Sequence, residues 1–498
     1  MEVIAFVLYF VLVLAIGLYF FFATRKNAGE KEFFLGGRKM GPWVTAMSAQ
    51  ASDMSAWLLM GLPGSILAFG LGQAWIGIGL AIGTILNWVL VARRLRKFSR
   101  AADDSITLPQ YLSKRFASKN HTLSILCAVV FLVSFTIYVA SSFVAGTTVF
   151  TTLFPGLSDQ TAMLIFAAII LFYTFLGGYK AVCWTDFFQG LLMLVALLAI
   201  PIVILSAEKL DTAALSQVYV NAADGTKYVF VESLFSAKWQ DVVSGLAWGL
   251  GYFGMPHILV RFMSIEKPSM VKKSATVAIV WVLLSLTAAI IIAYLGRILV
   301  GEELLTAGMQ KTVFIALARK YFPAFIAGLL LAAIIAASMS TVDSQLLVAS
   351  SSFTSDLYKP VFRKNASEQE ILWVARLVVL AVSVIAYFIA GSKGSGAQAI
   401  MNMVENAWGI FGAAFGPVVI LSLFWKRFTY RGAVAGVLAG AAVDILWLLF
   451  LGGTGVYEIL PGFVAGFLFC IVVSLLDQAP GAEVLAIYQR GTDNSVDD

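Results

Sequence analysis

The stretch SAQASDMSAWLLMGLPG, from Ser48 to Gly64, decides the fold because it places one carboxylate, Asp53, inside a long apolar run. A charged side chain at bilayer depth costs at least about 2.5 kcal/mol on insertion scales, so such residues usually have a function. Small and hydroxylated residues surround Asp53, and two glycines and Pro63 follow it. This composition predicts an interrupted helix. In membranes, interrupted helices line cavities or lie buried in protein, where they can expose backbone carbonyls to ions.

The composition of the whole chain places that run in a membrane. Of the 498 residues, 60% are hydrophobic and only 12% are charged, whereas about a quarter of the residues of a soluble domain are charged. Crossing about 30 Å of hydrocarbon takes about 20 helical residues. That length predicts thirteen apolar segments, which lie near 3–23, 42–71, 74–92, 122–152, 160–177, 186–206, 240–262, 274–299, 323–353, 371–390, 397–424, 431–451 and 458–476. We therefore expect an all-α integral membrane protein.

The basic residues predict the orientation of the chain. Most of the 34 lysines and arginines fall in alternate loops, namely 24–41, 93–121, 178–185, 261–273, 354–370, 425–431 and the tail after Leu476. Because cytoplasmic loops are enriched in Lys and Arg, we expect the N-terminus outside and the C-terminus in the cytoplasm. The net charge of +6 then needs no nucleic-acid partner. The first span has neither a basic flank nor a cleavage site, so we expect it to be retained.

A second interrupted segment follows five spans later. Its sequence is WGLGYFGMPHILVRFM, from Trp248 to Met263, and it combines three glycines with Pro256. Two broken spans at corresponding positions indicate inverted repeats with a binding site between them. The pairing predicts five parts, namely an extra helix and cytoplasmic loop in 1–41, a first repeat in 42–206, an external loop in 207–239, a second repeat in 240–424, and two further helices with a cytoplasmic tail in 425–498.

Two polar segments lie outside these spans. The external loop contains NAADGTKYVFVE, in which turn residues precede a short β-like run, and we expect it to form a cap. The tail after Leu476 is polar and is expected to be a solvated end.

A third candidate region is AASMSTVDSQ, from Ala336 to Gln345. Serine and threonine hydroxyls can join membrane helices by hydrogen bonds, but that explanation accounts poorly for Asp343. Hydroxyls and freed carbonyls are also the oxygen ligands that hard cations prefer. The pattern therefore predicts an ion site that involves Ser340 and Thr341.

The isolated carboxylates have simpler alternatives. Asp53 could act in the site or cap a half-helix that restarts beside it, and Asp186 could cap the sixth span at the cytoplasmic surface. Glu405 and Asp444 have no partner that the sequence identifies. Three cysteines in or beside separate apolar segments predict neither a disulfide framework nor a metal site. No nucleotide-binding loop, nucleophile elbow or zinc spacing is present, so we expect no enzyme and no ATP-driven pump.

Several runs resemble the solute:sodium symporter family, in particular its bacterial members that take up proline. They are LGGRKMGPWVTAMSAQASDMSAWLLMGLPG, LPQYLSKRF, TFLGGYKAVCWTDFFQ, WGLGYFGMPHILVRFM and AAIIAASMSTVDSQLLVASSSFTSDLY. The resemblance covers nearly the whole chain. It implies a LeuT-type fold of two inverted five-helix repeats with thirteen transmembrane helices, in a bacterial inner membrane.

The resemblance also implies site residues. The Na⁺ site would use the carbonyls of Ala51, Met54 and Ala337 with the hydroxyls of Ser340 and Thr341. The substrate pocket would be lined by Asp53, Ser55, Ala56, Trp57, Tyr138, Trp248, Tyr252, Phe253 and Pro256. Arg38 and Asp53 would serve sodium coupling, and Asp186, Asp343 and Ser344 lie where some relatives bind a second cation.

Three positions depart from the family pattern. Ala56 replaces an expected glycine, Met255 an expected glutamine, and Asp343 an uncharged residue. The expected function is Na⁺-coupled uptake of L-proline by alternating access. The alternative is symport of another small amino acid or a monocarboxylate, and a channel or sensor is a different class. Besides the solute, Na⁺ and membrane lipid, we expect no nucleic acid and no obligate protein partner.

Overall fold

The computed structural model describes residues 1–24, 29–176, 178–393 and 397–493. In these ranges the fold is almost entirely helical. The helices are α1 (Glu2–Thr24), α2 (Glu30–Leu35), α3 (Pro42–Asp53), α4 (Gly61–Phe69), α5 (Ala74–Leu86), α6 (Arg93–Ala101), α7 (Leu108–Arg115), α8 (Thr122–Leu153), α9 (Asp159–Leu176), α10 (Tyr179–Ala207), α11 (Trp239–Ala247), α12 (Pro256–Ser264), α13 (Val271–Thr306), α14 (Val313–Tyr321), α15 (Ala324–Phe353), α16 (Glu368–Lys393), α17 (Ala397–Phe424), α18 (Tyr430–Phe450), α19 (Ile459–Leu476) and α20 (Ala482–Thr492). Two short strands, β1 (Tyr219–Val220) and β2 (Lys227–Tyr228), form an antiparallel hairpin.

The predicted interruption near Asp53 is present. Helix α3 starts with Pro42 in its first turn and ends at Asp53, and Met54 leaves the helical conformation with φ −83° and ψ 72°. Proline suits a first helical turn because its fixed φ is helical and it has no N–H to leave unpaired. The Ser55 hydroxyl then accepts a hydrogen bond from the Trp57 N–H and starts a short 3-10 turn before α4. The break thus separates two helical pieces of one apolar segment.

The second predicted interruption is also present. Helix α11 passes into a 3-10 turn over Trp248–Phe253, and α12 begins afresh at Pro256. Gly251 permits a close contact at this turn, because a Cβ atom there would lie 1.9 Å from Nε1 of Trp408. Only glycine lets the indole of α17 reach the backbone of the turn. The Trp408 N–H donates to the Trp248 carbonyl at 2.8 Å and fixes that approach.

The two broken segments lie inside the molecule. Helix α3 packs on α10, α12, α13 and α15, and the 3-10 turn of the second break packs on α5 and α17. By length and composition, ten helices of the described residues could cross a membrane. Their outward faces carry exposed apolar side chains such as Val11, Leu449 and Leu476. Exposed apolar surface of this extent is typical of contact with lipid.

Three regions that the sequence predicted as loops are helical. Helices α6 and α7 lie within 93–121, and residues 179–185 belong to the first turns of α10. Asp186 therefore lies in the second turn of α10, so its interpretation as an N-cap is wrong. Arg261, counted as a loop residue from the charge pattern, belongs to α12. The hydropathy boundary was misplaced because a buried arginine lowers the local average as much as a loop does.

The C-terminal tail also differs from the prediction. Instead of a solvated end, residues Ala482–Thr492 form α20, which packs on α6. The Tyr488 and Phe98 rings lie 5.5 Å apart between centroids, and Ile487 is buried. The Arg115 guanidinium lies 5.1 Å from the Tyr488 ring centroid. Two apolar residues, Ile487 and Tyr488, make this packing, and two among eleven residues were too few to stand out in the sequence.

Candidate functional site

The two helix breaks meet at Asp53. The Tyr252 hydroxyl, on the second break, donates to Oδ2 of Asp53 at 2.5 Å, and both side chains are buried. Asp53 is the last residue of α3, so its interpretation as the N-cap of the following half-helix is wrong. Ser55 does the capping instead. The Asp53 carboxylate thus joins the ends of two interrupted helices that are far apart in sequence.

Aromatic side chains surround this junction. The Trp57 and Trp248 rings lie 6.1 Å apart, and Trp248 stacks on Trp408 at 6.4 Å. Tyr138 on α8 is buried within electrostatic reach of Asp53. Rings of this size present broad apolar faces to a small solute, while the helix ends supply polar groups.

The remaining predicted pocket residues, Ser55, Ala56, Phe253 and Pro256, are all buried on the two breaks. Ser55 and Ala56 follow Asp53, whereas Phe253 and Pro256 follow Tyr252. They are therefore close in sequence to the residues that make the junction.

A cluster of oxygen atoms lies where α15 crosses the end of α3. The Ser340 hydroxyl is 2.8 Å from the Ala51 carbonyl and 3.2 Å from the Ala337 carbonyl. Next to it, among the described residues, the buried Thr341 hydroxyl has no hydrogen-bond partner. A buried hydroxyl without a partner is costly unless something else fills that role. Neutral oxygens from a broken helix and a facing helix are a donor set that fits Na⁺. Met54, also predicted here, directs its N–H to the Gln50 carbonyl.

A buried ion pair lies farther along the same helices. Nη2 of Arg261 is 3.1 Å from Oδ2 of Asp186, and neither side chain is exposed by more than 1%. The Ser48 hydroxyl donates to the same Asp186 oxygen at 2.6 Å. Sequence reasoning missed Arg261 as a site residue. The signal was available, because HILVRF continues an apolar run beyond Pro256 without a turn residue before Arg261.

Asp343 and Ser344 belong to that ionic cluster. Arg261 donates to the Ser344 hydroxyl, which in turn is 3.4 Å from Oδ1 of Asp343. Within the described ranges, Oδ2 of Asp343 and Oδ1 of Asp186 have no hydrogen-bond partner. The structure therefore brings Asp186, Asp343 and Ser344 together, as predicted, but with one guanidinium among two carboxylates.

Arg38, the remaining predicted site residue, lies away from the two helix breaks and contacts Asp104 and the end of α12. It has a left-handed φ of 56°, is buried, and donates to Oδ1 of Asp104 at 2.8 Å and to the Met263 carbonyl at 2.5 Å. Partial burial raises the pKa of Asp104, but hydrogen bonds from Lys31 and Arg38 outweigh this effect and hold it below its ordinary value. Arg38 therefore ties the loop before α3 to the end of α12, two residues beyond Arg261.

Comparison with known sequences identifies relatives that align with most of the chain. A family model described as the sodium:solute symporter family matches residues 33–440. The sodium/proline symporter of Escherichia coli (strain K12) is 42% identical over 466 residues, which are 93% of this chain and 91% of the relative. The high-affinity proline transporter of Bacillus subtilis (strain 168) is 42% identical over 470 residues, or 93% of this chain and 96% of the relative.

Solved structures share the fold at low sequence identity. A substrate-bound, outward-open Na⁺-coupled sialic acid symporter has a TM-score of 0.77 at 20% identity, covering 96% of this chain and 98% of the other. A transporter of the nucleobase-cation-symport-1 family in a closed conformation has a TM-score of 0.57 at 14% identity, covering 92% and 98%. The helical fold is thus that of LeuT-type cation symporters, as predicted. With the family match over most of its length, the chain belongs to the sodium:solute symporter family.

Proposed function

We propose that this protein is a secondary active symporter that couples Na⁺ influx to the uptake of L-proline by alternating access. The observation that carries the proposal is the contact between the two helix breaks, through Asp53 and Tyr252, beside the oxygen cluster of Ser340. Relatives with 42% identity are named sodium/proline symporters, and this similarity supports proline as the solute. The protein is a transporter rather than an enzyme, and it is a multi-pass protein of the bacterial inner membrane.

The proposed topology has thirteen transmembrane segments. Ten helices qualify by length and composition. The apolar helix α9 and the two interrupted segments, α3 with α4 and α11 with α12, complete the number. The N-terminus is outside and the C-terminus is cytoplasmic, since the basic residues favour this orientation. The inverted repeats are 42–206 and 240–424, flanked by 1–41, the external loop 207–239 and the segment 425–498. Membrane lipid surrounds the helices, and no obligate protein partner is required.

The proposed Na⁺ site lies between α3 and α15. Its ligands are the carbonyls of Ala51, Met54 and Ala337 and the hydroxyls of Ser340 and Thr341. Na⁺ would accept the lone pair of the unpartnered Thr341 hydroxyl, which supports this assignment. Few or no carboxylates are needed, because a monovalent ion that must leave again is bound by neutral oxygens without becoming trapped.

The proposed proline pocket lies between the two helix breaks. Trp57, Tyr138, Trp248, Tyr252 and Phe253 provide apolar surface for the ring, with Ser55, Ala56 and Pro256 at the adjoining backbone. The N-terminal end of α12 carries the partial positive charge of the helix dipole, which suits the carboxylate of the solute. Asp53 ends α3 between pocket and ion site, and this position supports a role in coupling. Arg38 contributes to coupling indirectly, by holding the end of α12.

A second cation position is proposed at Asp343. Arg261 carries one positive charge and faces Asp186 directly at 3.1 Å. The second carboxylate of the cluster, Asp343, then needs a proton or a cation, because an isolated charge is unstable in a buried setting. Ser344 and Asp186 would complete that position.

Uptake into proteoliposomes tests the proposal. The purified full-length chain should accumulate labelled L-proline from a buffer with an inward Na⁺ gradient and not from choline buffer. Accumulation above the external concentration separates a symporter from a channel. Equal uptake in both buffers would reject Na⁺ coupling.

A second candidate function is symport of another small solute. Ala56 and Met255 motivate it, because both lie on the breaks where the family pattern has glycine and glutamine. Competition of labelled proline uptake by a panel of amino acids and monocarboxylates decides between them. The better substrate is the solute with the lower half-inhibitory concentration.

A further inference from the structure

Two carboxylates outside the proposed sites line a cavity, and a third lies within electrostatic reach of one of them. The cavity has a volume of about 380 Å³ and is lined by Trp248, Glu405, Tyr457 and Glu458, among others. In the proposed orientation it opens to the outside, because its wall includes residues adjoining the external loop, such as Asp241. Asp444 on α18 lies within electrostatic reach of Glu458, as does Glu405 on α17. We call Glu405, Asp444 and Glu458 the outer acidic cluster.

The side chains of Asp444 and Glu458 meet beside Gly409. A Cβ atom at Gly409 would lie 3.0 Å from Oδ1 of Asp444, 3.5 Å from Cγ of Glu458 and 3.5 Å from the ring of Tyr457. Asp444 is 1% exposed and Glu458 is 6% exposed. Among the described residues, Oδ1 of Asp444 and Oε1 of Glu458 have no hydrogen-bond partner. Two buried acceptors therefore lie unused, and one of them belongs to Glu458, which lines the cavity.

The local charge of the cluster is not balanced by protein groups. In the described part of the chain, no lysine, arginine or histidine forms an ion pair with Glu405, Asp444 or Glu458. Two buried carboxylates within electrostatic reach of each other, with a third beside them, cannot all be charged without a counter-ion. They hold either protons or a cation. Arg261 resolves the same problem at Asp186, and the part of the chain that the structure describes has no equivalent ion pair here.

Direct contacts connect the cluster to the proposed pocket. The Tyr457 hydroxyl donates to the Glu405 carbonyl at 2.7 Å, and the Tyr457 ring lies 5.2 Å from the Trp248 ring. Trp248 in turn faces Trp57 across the proline pocket. A ligand held at the cluster would therefore sit one aromatic ring away from the pocket, on the outer approach to it.

We propose that the outer acidic cluster is a binding site for a hydrated monovalent cation on the approach to the pocket. Within the described residues, no three His, Cys, Asp or Glu side chains are close enough together to hold a metal ion by themselves. An ion that keeps part of its water shell fits this looser arrangement, and a monovalent one can leave again. The cation is Na⁺ or the ammonium group of the solute. The proposal rests on the proposed function for its role, since the site concentrates a transported cation near the pocket.

Equilibrium binding of ²²Na⁺ to the purified full-length protein, without proline, tests the site. The background is the variant Ser340→Ala, Thr341→Ala and Asp343→Asn, which weakens both of the other proposed cation positions by removing two hydroxyl ligands from one and the unpaired carboxylate from the other. We expect weak residual ²²Na⁺ binding in this background. Adding Asp444→Asn and Glu458→Gln should lower its affinity at least about tenfold, because two carboxylates lose their charge. The matched control is Asp241→Asn, which removes a carboxylate from the same cavity outside the cluster and should leave residual binding unchanged.

The outcomes separate the two cation sources. If ²²Na⁺ binding is unaffected but labelled proline binding at saturating Na⁺ weakens in an Asp444→Asn, Glu458→Gln variant of the parent protein, the cation is the solute ammonium. Absence of residual ²²Na⁺ binding in the background, together with unchanged proline binding, would overturn the site and leave protons on the carboxyls. Some of the multiple variants could misfold, which gel filtration would show as more than one species. In that case the single variant Glu458→Gln is tested by the Na⁺ dependence of proline uptake. An unchanged Na⁺ concentration for half-maximal uptake then counts against the site.

The proposed function and the outer acidic cluster are tested by different measurements. Na⁺-dependent proline uptake by the unmodified protein tests the function, whereas ²²Na⁺ binding without proline tests the outer acidic cluster. Failure of uptake with retained residual binding would reject the solute assignment alone. Retained uptake with no effect of the cluster variants on either ligand would reject this inference alone.

Discussion

Arg261 neutralises a buried carboxylate inside the molecule. Its replacement should therefore lower the thermal stability of the protein more than the replacement of an exposed basic residue does. In Arg261→Gln the carboxylates of Asp186 and Asp343 lose the guanidinium that lies beside them. Breaking one side of a buried ion pair typically costs about 3–5 kcal/mol. We therefore expect a lower midpoint of thermal unfolding for the detergent-solubilised protein, measured by tryptophan fluorescence.

Two controls give this prediction its specificity. Lys426→Gln removes one positive charge from an exposed position and should leave the midpoint unchanged. The double variant Arg261→Gln, Asp186→Asn should recover part of the loss, because it removes the uncompensated charge as well. A double variant no more stable than Arg261→Gln would contradict a charge-pair explanation.

At the proposed Na⁺ site, single oxygen atoms can be removed one by one. Ser340→Ala and Thr341→Ala should each raise the Na⁺ concentration for half-maximal proline uptake by about tenfold or more, because a polar contact with a charged group is worth about 1.5–3 kcal/mol. Proline affinity at saturating Na⁺ should change much less. The matched control is Ser338→Ala, since the Ser338 hydroxyl donates to the Ile334 carbonyl of its own helix at 3.1 Å. If proline affinity falls instead, the two hydroxyls belong to the solute pocket.

At the scale of elements, the 3-10 turn of the second break supplies the aromatic wall. Trp248→Ala should weaken proline binding by about 1–3 kcal/mol through lost apolar burial. Tyr252→Ala should do the same and should also leave Asp53 without its donor. Binding of ²²Na⁺ without proline should persist in the Trp248→Ala protein. Equilibrium binding of labelled proline measures both effects, and unchanged affinity in both variants would remove this turn from the pocket.

The packing of helix α20 on α6 can be tested without a transport measurement. A Cβ atom at Gly491 would lie 2.7 Å from the Phe98 ring, so Gly491→Ala should push α20 away from α6. Faster proteolytic loss of a C-terminal tag should report the release. Gly481→Ala, at the other end of α20, is the control, because nothing lies within 4 Å of its Cβ position. Equal cleavage rates of the two variants would show that the packing does not hold the tail.

Elements with a strong compositional signature could be predicted from the sequence, and those defined by a single contact could not. The breaks at Asp53 and at Trp248–Phe253 combine glycine, proline and polar residues in apolar runs, so both were recognisable. Ser340 and Thr341 were recognisable as a dense group of hydroxyls. Arg261 was missed because hydropathy cannot distinguish a buried arginine from the edge of a loop. The role of Tyr457 and Glu458 depends on the packing of α17, α18 and α19, which no local pattern encodes.

For the whole molecule, one Na⁺ is energetically sufficient. One positive charge crossing about 100 mV supplies about 2.3 kcal/mol, and a tenfold Na⁺ gradient adds about 1.4 kcal/mol. Together they support roughly 500-fold accumulation of a neutral zwitterion. A second ion at Asp343 would serve a purpose other than driving force, such as setting the order of binding.

The charge moved per proline tests the second position. If Asp343 carries an additional transported cation, Asp343→Asn should lower the charge-to-proline ratio measured by parallel electrical and tracer flux in proteoliposomes. Glu266→Gln is a control, because it neutralises an exposed acidic side chain just beyond α12. An unchanged ratio with unchanged Na⁺ and pH dependence would leave Asp343 as a structural carboxyl.

The hydrogen bond between Ser340 and the Ala51 carbonyl has a thermodynamic consequence for how the two ligands communicate. It joins α15 to α3 two residues before Asp53, so ion and solute would share one short piece of backbone. If bound Na⁺ holds that piece of backbone in one conformation, proline does not have to order it again when it binds. Because such linkage is reciprocal, the factor by which Na⁺ tightens proline binding must equal the factor by which proline tightens Na⁺ binding. The larger this common factor is, the less Na⁺ or proline the protein transports without the other.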